Sequence, residues 1–197
     1  MNTTRDWMDK HTQLFLSALQ RLTDADLEDA CPRLPGWTRR HLIAHVHYNA
    51  EALRRLVSWA GSGIENRMYA SAEQRATEIE SGATLPAGTL RQLVVRSADA
   101  LARDLDALDA QAWHAEVITA QGRQVPAIEI PWMRSREVAV HAVDLEAGVT
   151  FDDLGPAFVT ALLTDIVAQR AARGEGPALA AWLTGRATTP PQLARWL

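Results

Sequence analysis

The stretch TRRHLIAHVHYNAEALRRLVSWA, from Thr38 to Ala60, decides the fold. Wound at about 100° per residue, it places Leu42, Val46, Asn49, Leu53, Leu56 and Ala60 on one stripe. Such a stripe needs neighbouring helices to cover it. Thr38 follows Pro35-Gly36-Trp37 and suits an N-cap, and Gly61-Ser62-Gly63 stops the helix. His45 falls at the edge of the stripe, close to Asn49 and Leu56. His41 lies one turn earlier and further out, and His47 is expected to face solvent. His45 is therefore the inward histidine of this helix.

Outward from that helix, helical periodicity continues in both directions. Trp7, Leu14, Phe15, Ala18 and Leu22 stripe a first helix over about 4–22, and an acidic connection with Pro32 and Pro35 follows it. Ser71 begins a short helix, with Gln74 placed for a capping box. A long helix is expected from Pro86 to about Leu108. Val117-Ile118-Thr119 and Arg123-Gln124-Val125 flank Ala120-Gln121-Gly122 and read as a small hairpin or an extended loop near 116–126. Further helices are expected over about 131–147 and 155–173, with a short one over 178–183 after Gly174-Glu175-Gly176-Pro177. Thr188-Thr189-Pro190-Pro191 links to the closing Arg195-Trp196-Leu197. The expectation is a mainly α protein: a four-helix bundle in 1–150, its core helices continuing to about 173, and an abbreviated helical segment in 174–197.

Bulk properties narrow the function. The 197 residues are 47% hydrophobic and 22% charged, an ordinary globular balance. A net charge of −4 draws in neither phosphate backbones nor anionic lipid, so nucleic-acid and membrane partners are not expected. Residues 1–6 lack the apolar core of a signal peptide, and the single Cys31 allows no intrachain disulfide; a cytoplasmic protein is expected. Cys31 has no adjacent base and is read as non-catalytic. Trp37 and Trp132, beside Gly36 and Pro131, are read as core filling at chain corners. His11 and His114 are read as ordinary surface or loop residues.

The helix after Pro131 is anomalous. Ile130, Met133, Glu137, Val140, His141 and Asp144 fall on one face, so three ionisable groups share it with apolar ones. A buried carboxylate without a partner is costly, so this face needs a cation or a wet cavity. Glu137 and His141 stand i, i+4, one turn apart, and can chelate one ion, with His45 as a third ligand. Three protein ligands with open positions suit a catalytic metal. The same spacing also fits a surface pair or satisfied polar groups in a bundle core.

Several stretches carry a resemblance. They are Gly36-Trp37-Thr38-Arg39-Arg40-His41-Leu42-Ile43-Ala44-His45-Val46 with Asn49-Ala50, Met68-Tyr69-Ala70-Ser71, Thr119-Ala120-Gln121-Gly122-Arg123, and Trp132-Met133-Arg134-Ser135-Arg136-Glu137-Val138 running into Val140-His141-Ala142-Val143-Asp144-Leu145. Together they resemble the mycothiol-dependent maleylpyruvate isomerases of the DinB-like metalloenzyme superfamily. The resemblance implies a DinB-like four-helix bundle with His45, Glu137 and His141 as metal ligands. It also implies a small α/β C-terminal domain, of which this chain keeps an end resembling Ala180 to Arg186 and lacks the strand-rich part. Arg186 matches the arginine that the family brings to its active site from a Gly-Arg segment.

The implied reaction turns maleylpyruvate into fumarylpyruvate. A thiolate adding to the alkene leaves a single bond that can rotate, and its expulsion restores the trans alkene. A free thiol of pKa about 8.5 is only a few per cent ionised at pH 7, which a coordinated metal corrects. By resemblance the thiol is mycothiol; glutathione and ergothioneine are alternatives. The metal is expected to be Zn²⁺, although two histidines and a glutamate also admit iron, nickel or manganese. A dicarboxylate substrate needs cations, for which Arg186 comes first, then Arg134 ahead of Arg136. Asp144 can orient His141 or close the polar face, and Asn49 can bind substrate or bond a neighbouring helix. Two other functions fit the residues: a metal-dependent thiol S-transferase and a non-catalytic metal-binding protein. The sequence does not decide between monomer and homodimer.

Overall fold

The computed structural model describes residues 2–194, so the closing Arg195-Trp196-Leu197 lies outside the described residues. The chain order is α1 (Asn2–Arg21), α2 (Arg39–Ser62), α3 (Ala72–Ala83), α4 (Ala87–Asp106), β1 (Glu116–Ile118), β2 (Gln124–Pro126), α5 (Ile130–Asp144), α6 (Pro156–Ala172) and α7 (Gly176–Leu183). These fall into two compact units, divided between Thr150 and Phe151.

In the first unit α1, α2, α4 and α5 form the bundle, and α3 packs on α2. The hairpin is antiparallel, with Val117 opposite Val125 and both buried. Among the described residues of the second unit, α6 and α7 pack together and no strand occurs. No helix among the described residues is long and apolar enough to cross a membrane.

The ends of the helices follow from local chemistry. α2 starts at Thr38, whose N–H donates to His41 Nδ1 (3.1 Å), so a histidine stands where a capping box usually has a carboxylate or amide. It stops at Gly63, whose φ of +72° suits a residue without Cβ. At α3 only half of the expected capping box forms. Gln74 N–H donates to Ser71 Oγ (3.1 Å), but Gln74 Oε1 accepts from Ala70 N–H (2.6 Å), one residue before the cap.

Burial is arranged in tiers. Phe15, Leu42, Val46, Leu90, Val94 and Val138 belong to one apolar cluster. Met8, Leu53, Leu56, Leu101, Leu105 and Ile130 belong to another. Each fully buried aliphatic chain contributes about 1.5–3 kcal/mol. In sequence, each bundle helix passes from one cluster to the other through a buried polar residue: His11, Asn49, Ser97, and the pair Arg134 and Ser135. His11 Nδ1 lies 3.0 Å from Ser135 Oγ, tying α1 to α5. Arg134 Nη1 donates to the Val46 carbonyl and to Asn49 Oδ1, both at 2.8 Å, tying α5 to α2.

Two histidines depart from expectation. His11 is fully buried rather than superficial, because α1 lays that face on α5. His47 does not face solvent: it is buried, its ring 4.6 Å from that of Tyr48. With α3, α4 and α5 all packed on α2, little of that helix is left to water.

α3 reaches α2 through Gly82. A Cβ there would stand 2.8 Å from Ala44 Cβ and 2.9 Å from Tyr48 Cε2. Gly82→Ala gains roughly 1 kcal/mol of helix propensity but overpacks this contact. A net loss of about 1–2 kcal/mol is expected, lowering the melting temperature by roughly 3–6 °C. Thermal denaturation checks this, and a higher melting temperature would show that the contact yields freely.

Candidate metal centre

His45 comes from α2, and Glu137 and His141 come from successive turns of α5. Each offers one ligand atom, and the three atoms lie within 4.8 Å of one another. This is the only such group of three or more among the described residues. His45 Nε2 is 3.1 Å from Glu137 Oε2, and His141 Nε2 is 3.4 Å from the same oxygen. The two imidazoles meet edge to face, centroids 5.1 Å apart, and Trp37 stands 5.5 Å from the His45 ring. His45 is 4% exposed and His141 2%.

Asp144 sits behind His141, with Oδ2 2.9 Å from Nδ1. A carboxylate there holds a proton on Nδ1 and turns the Nε2 lone pair towards the cluster. That Nε2 is buried, and it approaches Glu137 Oε2 at 3.4 Å without good hydrogen-bond geometry. A buried ring nitrogen so placed, facing a carboxylate and a second imidazole, is a place for a cation. The donor set fits one divalent ion, with coordination positions left for other ligands.

Electrostatics supports this reading. Burial alone would raise Glu137, but hydrogen bonds and charge from His141 and His45 hold it well below the usual carboxylate range. Burial opposes the charged form of His141, yet Asp144 and Glu137 outweigh it and raise the imidazole to about 9. Burial dominates at His45, which falls to about 4 despite Glu137. His141 is therefore held in its charged form at neutral pH, between Glu137 and Asp144.

The other residues singled out in the sequence sit at different depths. Arg134 is 1% exposed, and its bonds to Val46 and Asn49 fill the middle of the bundle. Burial lowers its guanidinium to about 10, still charged at neutral pH. Asn49 spends its carbonyl oxygen on Arg134. Arg136 lies over the Trp132 ring, 5.9 Å from its centroid. Arg186 belongs to the second unit, is exposed, and donates to the Thr184 carbonyl. His114 is exposed. Cys31 is buried, and burial pushes its thiol up to about 11, away from nucleophilic use.

Sequence reading missed Arg75 of α3. Its Nη2 is 3.3 Å from His45 Nδ1. A signal was there. Arg75, Ile79 and Gly82 are spaced i, i+4 and i+7, and the last two are buried, so a charged residue lies on the packing stripe of a short helix.

A bundle of four helices with two histidines and a glutamate converging from two of them matches the DinB-like architecture that the resemblance implied. The family model for the mycothiol maleylpyruvate isomerase N-terminal domain matches residues 9–146. The chain belongs to that family. A solved structure of a mycothiol-dependent maleylpyruvate isomerase is 42% identical with a TM-score of 0.84, over 87% of this chain and 71% of that one. A histidine-to-alanine mutant of the mycothiol-dependent maleylpyruvate isomerase is also 42% identical, with a TM-score of 0.81 over 83% of this chain and 68% of that one. No curated protein matches the chain.

Proposed function

We propose that this chain is a metal- and thiol-dependent cis–trans isomerase that converts maleylpyruvate to fumarylpyruvate in the breakdown of gentisate-type aromatic acids. The observation that carries the reading is the buried His45–Glu137–His141 cluster, its three ligand atoms converging, in a chain 42% identical to a mycothiol-dependent maleylpyruvate isomerase. His45, Glu137 and His141 would hold a divalent ion, by preference Zn²⁺, which when bound keeps a low-molecular-weight thiol ionised for addition to the alkene. The thiol is mycothiol by family, and the cytoplasm is the compartment where such a thiol stays reduced.

The chain's own residues have separate tasks. Asp144 fixes the His141 tautomer that frees Nε2. Glu137 supplies the one negative charge of the donor set and offsets part of the ion's charge. Arg134, three residues before Glu137, keeps a fixed buried positive charge that favours the ionised carboxylate. Apolar packing around the cluster limits water near the reacting atoms and strengthens these interactions. Arg186 stands as a candidate for pairing with substrate only through the resemblance of its Gly-Arg segment.

The test mixes metal-loaded protein with maleylpyruvate and mycothiol, glutathione or ergothioneine in turn. Fumarylpyruvate formation at many turnovers per chain, with the thiol recovered, is the expected result with mycothiol. A stoichiometric thiol adduct would assign an S-transferase instead. No reaction with any thiol, despite bound metal, would leave a metal-binding protein without turnover.

A further inference from the structure

Among the described residues the arginines around α2 are almost all neutralised. Arg39, Arg40, Arg54, Arg55 and Arg91 each hold a carboxylate of this chain. Arg75 does not. Its hydrogen-bond partner is the uncharged His45 Nδ1, and no ion pair joins it to a carboxylate among the described residues. The side chain is partly buried, so its charge is drawn away from water without compensation. Arg134, by contrast, is sealed inside the bundle.

We propose that Arg75 is an anion-binding residue of this site, and that its guanidinium takes a carboxylate of the bound substrate. The identity of that substrate rests on the isomerase reading; the carboxylate chemistry rests on Arg75 alone. Hydrogen-bond logic supports the assignment. In the arrangement described, His45 Nδ1 accepts from Arg75 while Nε2 faces Glu137. An imidazole that gives its Nε2 lone pair to a cation carries its proton on Nδ1. Nδ1 then cannot accept from Arg75, and the guanidinium is left seeking an acceptor beside the cation. A planar guanidinium suits two-oxygen recognition of a carboxylate. A dicarboxylate with one end near the cation would therefore find its second recognition element on α3.

The test uses zinc-loaded full-length protein with maleate and fumarate as unreactive probes, measured by calorimetry in wild type, Arg75→Gln and Arg75→Lys. Zinc content and thermal unfolding are followed in each. Maleate is expected to bind wild type, to bind Arg75→Gln about 10- to 100-fold more weakly with zinc retained, and to recover only in part with Arg75→Lys. In turnover, the loss should appear in KM more than in kcat. Equal maleate affinity in wild type and Arg75→Gln, or no maleate binding by zinc-loaded wild type, overturns the proposal. Loss of zinc from Arg75→Gln also overturns it, since Arg75 would then be a support for His45. Wild type that binds maleate through Arg75 yet isomerises nothing would sink the isomerase reading and leave this assignment standing.

Discussion

Glu137→Gln is expected to release the divalent ion from the bundle and to abolish turnover. Glu137 Oε2 lies 3.1 Å and 3.4 Å from the two imidazole nitrogens that share the site, and it carries the only negative charge among the three donors. Glutamine keeps the volume and one acceptor but loses that charge. Losing only an outer partner of a ligand costs about 10- to 100-fold in affinity, so loss of the ligand's charge should exceed about 100-fold. His141→Ala should likewise lose both metal and activity. Metal per chain after dialysis, measured by elemental analysis on folded protein, is the readout. Unchanged metal content in either variant would mean that the ligands are wrongly assigned.

Asp144→Asn should have the next largest effect without touching a ligand. The Asp144 carboxylate, 2.9 Å from His141 Nδ1, stabilises the tautomer whose Nε2 is bare. Asparagine can offer its NH₂ group to Nδ1, and the ring proton then moves to Nε2, where it blocks coordination. A fall of about 10- to 100-fold in zinc affinity is expected, with the helical fold retained. Titration against a competing chelator measures it. Wild-type affinity in this variant would reduce Asp144 to a filler of the polar face.

Much of the fold was legible because the helices carry strong local signals. The Leu42-to-Ala60 stripe marked α2 as a helix covered by others, and Gly61-Ser62-Gly63 marked where it stops. Val117 and Val125 flanked a turn and do pair. His45, Glu137 and His141 were legible as a candidate cluster because ionisable groups stood on faces otherwise apolar, and the structure brings their ligand atoms together. A wheel was less able to say how many neighbours each helix has. His47 was assigned to water because a two-sided helix was assumed, whereas α2 is packed by three others. His11 failed for the same reason: its partner Ser135 is 124 residues away and leaves no local trace. Arg75 was overlooked because α3 was read only from its N-terminal cap and its packing stripe was not drawn.

The tier of polar residues between the two apolar clusters has a further consequence. An all-aliphatic bundle tolerates sliding by a turn, since one leucine replaces another at little cost. Here a slip or roll of α5 would strand the Arg134 guanidinium, the Asn49 carbonyl oxygen and the His11–Ser135 pair in a dry interior, each at about 1–3 kcal/mol or more. The tier therefore acts as a key in a shaft. It sets the axial and rotational phase of α5 against α1 and α2, and with it the alignment of Glu137 and His141 to His45, before any ion arrives to enforce it.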